Sequence, residues 1–238
     1  MARPTHLFFD FFGTLVRYDP SRTGQGHHGS HRLLAREGYR GSYAAFVESF
    51  DAHFEALEAQ AAQSYCEYSM DEMVEGYLRE QLGNGFDHQL IAGVRDSYLA
   101  EWSRGVSAIV GLEAMLAELG VHFDLAVVTN THHPSLVPSL LAELGLAHHF
   151  DFVLTSVEHG RRKPCPSIFE RALELAGATP GRSVYIGDSF EPDYLGPRSA
   201  SIRSYLIDPG KRANVAPEDR LESVLQLREW VGHGRAWG

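Results

Sequence analysis

The stretch LFFDFFGT, residues 7–14, determines the fold prediction for this chain. It is a short apolar run that only one acid, Asp10, interrupts, and it ends in the pair Gly13-Thr14. Aromatic enrichment followed by a glycine predicts a buried β-strand that enters a turn. Asp10 is therefore expected where the first strand gives way to a loop.

Between residues 18 and 105 the pattern predicts helices and no strand. The polar, glycine-rich segment 20–31 predicts a loop, and amphipathic helices are expected from about residue 42 to 104. Four aromatic or aliphatic residues fall on one face of the first of these helices: Phe46, Phe50, Phe54 and Leu57. We interpret residues 18–105 as an inserted helical domain that interrupts a core made of residues 1–17 and 106–238.

From residue 106 onward the predicted helices and strands alternate. Strands are expected at 123–129, 152–156, 183–187 and near 202–207. Helices are expected at 111–119, 134–144, 166–176 and 219–231. This alternation implies right-handed βαβ units and a parallel sheet. The predicted fold class is α/β, a doubly wound parallel sheet that carries an inserted α-helical domain.

Composition excludes several classes of protein. The 238 residues carry 21 basic and 31 acidic side chains, a formal net charge of −10, which argues against general binding to nucleic acids or anionic membranes. No apolar run approaches the roughly 20 residues that a spanning helix needs, and Asp10 breaks any secretory signal pattern at the start. With two cysteines, Cys66 and Cys165, a disulfide scaffold is not expected, so a reducing cytoplasm is the simpler location.

Polar side chains follow four predicted strands or the loops after them. In an open parallel sheet, ligands bind beyond the carboxyl ends of the strands, so these groups are expected to converge. They are Asp10, Thr129 with Asn130, Lys163, and Asp188 with Asp193. Carboxylates hold a hard cation through oxygen, while an ammonium and a hydroxyl balance phosphoryl oxygens. The set therefore suits a metal ion and a phosphoryl group in transfer.

In this order, four segments resemble the four motifs of the haloacid dehalogenase (HAD) superfamily. They are DFFGT at 10–14, VVTN at 127–130, the lysine of RKPCPSIF at 162–169, and IGDSFEPD at 186–193. The helical insertion after the first motif is similar to the type-one cap of that family. The resemblance implies a HAD-like Rossmannoid core with a cap domain, and a hydrolase that acts on a small phosphorylated molecule.

The resemblance also implies catalytic roles. Asp10 would be the nucleophile that forms an aspartyl intermediate. Thr129 would bind a phosphoryl oxygen, and Lys163 would hold both Asp10 and the phosphoryl group. Asn130 and Arg17 are further candidates for contact with the substrate, although a solvated hinge residue is an equally good interpretation of Arg17.

A magnesium site is implied by the same motifs. Asp10, the backbone carbonyl of Phe12 and Asp188 would bind Mg²⁺. Asp193 would support the site, either as a ligand itself or by orienting the ligands. Packing these acids together without a cation would raise carboxylate pKa values, so the acids make sense with Mg²⁺ present.

One position departs from the pattern of the family's phosphatases. These usually carry a second aspartate two residues after the nucleophile, which protonates the leaving group, whereas this chain has Phe12. A positioned acid typically contributes about 10²–10⁴-fold. His132 or His133 could replace it, or they could be a surface pair. The family's dehalogenases also lack this aspartate, but they lack the glycine–aspartate pair that is kept here as Gly187-Asp188.

Three functions stay open at this point. A Mg²⁺-dependent phosphatase is favoured because Asp188 and Asp193 are retained. A 2-haloacid dehalogenase would need no metal. A catalytically weak protein that binds or senses a phosphate ligand would have kept the site after losing its acid. Substrate identity and oligomeric state are not predicted.

Overall fold

The structure is a computed structural model that describes residues 3–18 and 26–232. Contacts divide the chain into a core unit, Met1–Tyr18 with Ser107–Gly238, and a helical unit, Asp19–Val106. This division lies one residue away from the boundaries expected from the sequence. The roles of catalytic core and cap stay predictions.

The helical unit has four helices in its described part: α1 (His28–Arg36), α2 (Tyr43–Ser64), α3 (Met70–Leu82) and α4 (Gln89–Ser103). The predicted helical face of α2 is buried, with Phe46 and Phe50 almost fully inaccessible beside Tyr77 of α3. At the start of α3, the Ser69 hydroxyl accepts from the Glu72 N–H, and the Glu72 carboxylate accepts from the Ser69 N–H. This capping box satisfies two backbone donors that the first turn leaves without helical partners.

The predicted loop at 20–31 is partly wrong, because α1 begins at His28. Residues 20–25 lie outside the described residues. The carboxylate of Glu101, in α4, accepts hydrogen bonds from the backbone N–H groups of His28 (3.0 Å) and Gly29 (2.7 Å). A carboxylate at a helix N-terminus satisfies free donors and suits the helix dipole. The partner lies 72 and 73 residues away, so the polar local composition gave no sign of it.

Eight strands occur in the described residues: β1 (His6–Phe9), β2 (Val16–Arg17), β3 (Ser107–Ala108), β4 (Asp124–Thr129), β5 (Phe152–Thr155), β6 (Ser183–Gly187), β7 (Arg203–Ile207) and β8 (Arg220–Leu221). Six of them form one sheet in the order β5-β4-β1-β6-β7-β8, and all its neighbouring pairs are parallel. The strand order reverses beside β1, as in a doubly wound fold. The predicted α/β class is confirmed.

Helices of the core unit connect these strands: α5 (Leu112–Gly120), α6 (Leu136–Glu143), α7 (Ser156–His159), α8 (Pro166–Ala176), α9 (Gly196–Ser199) and α10 (Arg228–Gly232). The helix predicted at 166–176 and the strand predicted at 183–187 have the predicted bounds. The central strands β1 and β6 are almost completely buried between the helical layers, which is why they read as continuous apolar runs. In the described part of the chain, no helix is both long and apolar enough to cross a membrane.

The C-terminal segment does not form the helix predicted at 219–231. Strand β8 adds to the sheet edge, a 3₁₀ helix spans Val224–Leu227, and only α10 is α-helical. Four apolar side chains here are buried: Leu221, Val224, Leu227 and Trp230. Val224 and Leu227 are separated by one turn of the 3₁₀ helix, whereas Leu221 lies in β8 and Trp230 in α10. The buried apolar residues of the predicted helix are therefore shared among three different elements.

Candidate active site

Topology brings the predicted site residues to one edge of the sheet. Asp10 directly follows β1, Thr129 ends β4, and Asp188 directly follows β6. Because β1 lies between β4 and β6, the three side chains emerge side by side. The N–H of Asp10 donates to the carbonyl of Ile186 (2.9 Å), which continues the ladder one residue past β1. The site is thus anchored to the most buried part of the sheet.

Lys163 is the centre of a buried polar network. Its Nζ donates to Oδ1 of Asp10, to Oδ1 of Asp193 and to the hydroxyl of Tyr185, each at 2.7 Å. The residue is 3% exposed, so its ammonium depends on these three acceptors. Burial on its own would lower the pKa of Lys163, but the carboxylates of Asp10 and Asp193 outweigh burial and raise it. Lys163 therefore stays charged in this site.

The loop that carries Lys163 is held by the residue after Thr129. The Asn130 side chain accepts from the Lys163 N–H (2.8 Å) and donates to the Lys163 carbonyl (3.1 Å). Both polar atoms of this amide thus face the Lys163 backbone. The Asn130 side chain therefore holds the lysine loop, and its predicted contact with substrate stays a prediction. The Thr129 hydroxyl donates to Oδ1 of Asp10 (3.0 Å) and is 1% exposed.

Asp193 lies on a π-helical turn, Phe190–Leu195, that follows Asp188. Its Oδ1 accepts from Lys163, while its Oδ2 accepts from the Ser189 N–H (2.9 Å). Glycine is required at position 187, because a Cβ there would overlap the Asp193 side chain. This close approach explains why the fourth motif needs its glycine before Asp188. Burial is the largest cause that raises the pKa of Asp193, followed by opposing effects of the Lys163 and Asp10 charges.

Among the described residues, one cluster of acidic side chains is arranged so that it could hold a metal ion. Asp10, Asp188 and Asp193 each offer an oxygen, and these oxygens lie within 4.8 Å of one another. Burial, together with the negative charges of Asp10 and Asp193, raises the pKa of Asp188 to about 7. The Asp188 carboxylate lies over Gly13, at a place that a Cβ would fill. An all-oxygen cluster with mutual repulsion fits a hard divalent cation such as Mg²⁺.

Tyr185 is a site residue that the sequence analysis missed. Its hydroxyl accepts from Lys163, donates to the Val128 carbonyl (2.7 Å) and lies 3.3 Å from Asp193. Burial and the nearby Asp193 charge raise its pKa well above the ordinary value, so the hydroxyl is protonated. A tyrosine inside an otherwise apolar strand was the available signal, because a buried hydroxyl needs a partner.

Two other predicted residues lie at the margin of this network. The Phe12 ring packs edge-on against Phe11 (4.9 Å between ring centroids) and Tyr18 (6.0 Å). Its carbonyl as a metal ligand stays a prediction. Arg17 lies in β2 with an exposed side chain, and within residues 3–18 and 26–232 it has no ion pair with Asp10, Asp188 or Asp193. Its proposed contact with substrate stays a prediction as well.

Comparison with known proteins identifies the family of this chain. The family model for haloacid dehalogenase-like hydrolases matches residues 4–201. The chain is 35% identical over 150 residues to haloacid dehalogenase-like hydrolase domain-containing protein 3 of Homo sapiens, an alignment that spans 59% of each chain. It is 41% identical over 122 residues to a phosphoserine phosphatase of Thermus thermophilus, covering 49% of this chain and 47% of that one.

A solved structure shares the fold along nearly the whole chain. It is a 2-haloacid dehalogenase from Pseudomonas syringae, with a TM-score of 0.75 and 24% sequence identity, and the match covers 96% of this chain and 98% of the other. At this identity the likeness establishes the fold. The family match extends over more than half of the chain and includes every residue of the buried network, so this protein belongs to the haloacid dehalogenase-like hydrolases.

Proposed function

We propose that this hydrolase is a Mg²⁺-dependent phosphatase that acts on a small organic phosphate through an aspartyl-phosphate intermediate. The observation that carries the proposal is the cluster of Asp10, Asp188 and Asp193 beside the ammonium of Lys163. The similarity to a phosphoserine phosphatase supports it at the level of the reaction class.

In this proposal Asp10 is the nucleophile. Lys163 and Thr129 both donate to its Oδ1, so the carboxylate is held in one orientation before substrate arrives. A carboxylate oxygen of Asp10 forms a bond to phosphorus, and the bond from phosphorus to the leaving oxygen breaks, with the electron pair leaving on that oxygen. Water then attacks the phosphorus of the acyl phosphate and frees Asp10 and inorganic phosphate.

The charges of the other residues fit this step. The Lys163 ammonium bonds Asp10, so its positive charge would offset the negative charge that develops at a phosphoryl group attacked by Asp10. The Thr129 hydroxyl donates to Asp10 and would turn to a phosphoryl oxygen when substrate binds. Mg²⁺, when held by Asp10, Asp188 and the Phe12 carbonyl with support from Asp193, supplies positive charge to the same oxygens. Burial, followed by repulsion from Asp10 and Asp193, raises the pKa of Asp188 to about 7, and a bound cation would offset both effects.

Phe12 limits the leaving groups that the site can release. A phenyl side chain cannot donate a proton, so the leaving oxygen must depart as an anion unless another group, such as His132, protonates it. Aryl and acyl phosphates tolerate this loss, whereas alkyl phosphates do not. We therefore expect rates that fall steeply as the pKa of the leaving group rises.

A 2-haloacid dehalogenase is the second candidate, because this chain, like the family's dehalogenases, lacks an aspartate two residues after the nucleophile, where it has Phe12. The three-carboxylate cluster counts against it, since displacing halide with Asp10 needs no cation and suffers from added negative charge nearby.

The deciding experiment is a screen of aryl, acyl and alkyl phosphates and of 2-chloropropionate, with Mg²⁺ and with a chelator. Asp10→Asn serves as the control for contaminating activity. Phosphate release that needs both Mg²⁺ and Asp10 supports the proposal. Halide release in the presence of chelator would replace it with dehalogenation, and tight phosphate binding without turnover would indicate a binding protein.

A cytoplasmic location belongs to the same proposal. The two cysteines, Cys66 and Cys165, are free thiols in the structure. Free thiols are usual in reducing compartments. The proposed partner is a small phosphorylated molecule.

A further inference from the structure

A cavity of about 410 Å³ adjoins the proposed phosphoryl site within the core unit. Gly13 and Asp188 form its inner wall, and the loop that follows β7 forms its outer wall. Pockets that bind small molecules commonly measure about 300–1,000 Å³. Nothing in the proposed mechanism uses this space.

The wall between these two ends is largely apolar. Phe190, Leu206 and Pro209 line it, and Phe190 is 38% exposed although it is a large aromatic residue. The Phe190 ring stacks on Tyr194, with 5.7 Å between the ring centroids, and this contact holds Phe190 in its partly exposed position. A mostly apolar wall with a few fixed polar groups is the usual composition of a ligand pocket.

The outer loop is held by Asp208. Its carboxylate oxygens accept hydrogen bonds from the backbone N–H groups of Arg212 and Ala213, each at 3.0 Å, and these bonds lower the pKa of Asp208. Arg220 reinforces the loop by donating to the Ala213 carbonyl (2.7 Å) and lies 3.4 Å from Asp208. The negative charge of Asp208 is thus engaged by its own loop and by Arg220.

Arg212 is the cationic side chain that lines this cavity. Its guanidinium Nε lies 3.0 Å from where a Cβ of Gly210 would be, so the side chain folds back along the loop. In residues 3–18 and 26–232, no carboxylate pairs with the exposed Arg212 side chain. A guanidinium binds carboxylates and phosphates with two parallel hydrogen bonds.

We propose that this cavity is a subsite for the leaving group, and that it selects phosphate esters with a second anionic group. The proposal rests on the phosphatase function. The phosphoryl group would lie at Asp10, the body of the ester would pass over Asp188 along Phe190, and Arg212 would bind a carboxylate or a second phosphate. Both anions share the chemistry that Arg212 recognises.

Kinetics with matched substrates test this assignment. 4-Carboxyphenyl phosphate and 4-carbamoylphenyl phosphate have nearly the same shape, but only the first carries a second anion. Arg212→Gln replaces a charged contact of two parallel hydrogen bonds with a neutral one and is expected to raise KM for the carboxylate ester by about tenfold or more. The KM for the amide ester and both kcat values should stay unchanged. Lys211→Gln, which removes the neighbouring exposed cation, is the control and should change neither KM.

Binding separates a failure of this subsite from a failure of the phosphatase proposal. Calorimetry with 4-carboxyphenylphosphonate, 4-carbamoylphenylphosphonate and benzene-1,4-bisphosphonate needs no turnover. Tighter binding of an anionic ligand that Arg212→Gln abolishes supports the subsite even if no ester is hydrolysed, and the tighter of the two anions identifies the preferred group. Equal affinity of the three ligands, or equal effects of Arg212→Gln and Lys211→Gln, would overturn it.

Discussion

Tyr185→Phe should weaken the core unit more than loss of a buried hydroxyl normally does. The Tyr185 hydroxyl accepts from the fully buried Lys163 ammonium and donates to the Val128 carbonyl, both at 2.7 Å. A hydrogen bond to a charged group contributes about 1.5–3 kcal/mol, and a neutral one about 0.5–1.5 kcal/mol. We therefore expect a loss of about 2–4 kcal/mol in the free energy of unfolding. Lys163 would also lose one of its three fixed acceptors, so kcat should fall about tenfold or more.

Tyr77→Phe is the matched control. Tyr77 is also fully buried, but it lies in the helical unit and its hydroxyl bonds the neutral Ser49 hydroxyl at 2.7 Å. The expected loss is about 0.5–1.5 kcal/mol, with no change in kcat. Hydrogen–deuterium exchange measures the two units separately, with peptides from β6 for one and from α3 for the other.

The comparison of these two variants decides whether Tyr185 acts through Lys163. Equal losses of stability, each confined to its own unit, would mean that the bond from Lys163 to the Tyr185 hydroxyl stabilises the fold no more than a neutral hydrogen bond does. An unchanged kcat in Tyr185→Phe, in a protein that is folded at the assay temperature, would show that the lysine is positioned by Asp10 and Asp193 alone.

Further outcomes follow from the same site. Asp188→Asn should greatly weaken Mg²⁺ binding in calorimetry, and an unchanged affinity would remove Asp188 from the metal site. Because the metal-free pKa of Asp188 is raised to about 7, a bound proton competes with Mg²⁺ below that pH. Mg²⁺ affinity should therefore rise from pH 6 to pH 8, while the metal-free chain should lose stability as pH rises from about 4 through 7, since a raised acid pKa favours folding only in the protonated form. A flat Mg²⁺ profile would contradict this assignment. Lys163→Met leaves two buried carboxylates without their cation and should cost about 3–5 kcal/mol in urea denaturation, so a neutral effect would refute the buried ion-pair network. Phe12→Asp should speed alkyl phosphate hydrolysis selectively, by at most about 10²–10⁴-fold, and a gain that is equal for aryl phosphates would refute the account of the missing acid.

The α/β fold followed from local pattern because its strands are buried on both faces. LFFDFF, FDLAVVT and SVYIG read as strands since parallel strands beneath two helical layers expose almost no polar side chain. Strand ends then placed Asp10, Thr129 and Asp188 together without further information, because parallel strands bring their carboxyl ends to one edge. Lys163 was predicted to join them because it lies in the loop after another predicted strand, and the structure places its ammonium on Asp10.

Features that depend on contacts between residues far apart in the chain could not be predicted from the sequence. Helix α1 begins at His28 because Glu101 caps it from another helix, and β8 forms because β7 offers an open edge. The Asn130 amide bonds the Lys163 backbone 33 residues away, a contact that the sequence did not indicate. Contacts of this kind are set by tertiary packing, and a local window of sequence contains only one of the partners.

The position of β1 in the sheet has a consequence for biosynthesis. His6 pairs with Asp124 on one side and with Ser183 on the other, so β1 needs partners that are synthesised 118 and 177 residues after it. At about 5–20 residues per second, the apolar β1 strand waits several seconds for its first neighbour. Over that interval the helical unit is completed, and its helices pack on one another through contacts of shorter range. The nascent chain therefore carries the apolar β1 strand unpaired until β4 has been synthesised.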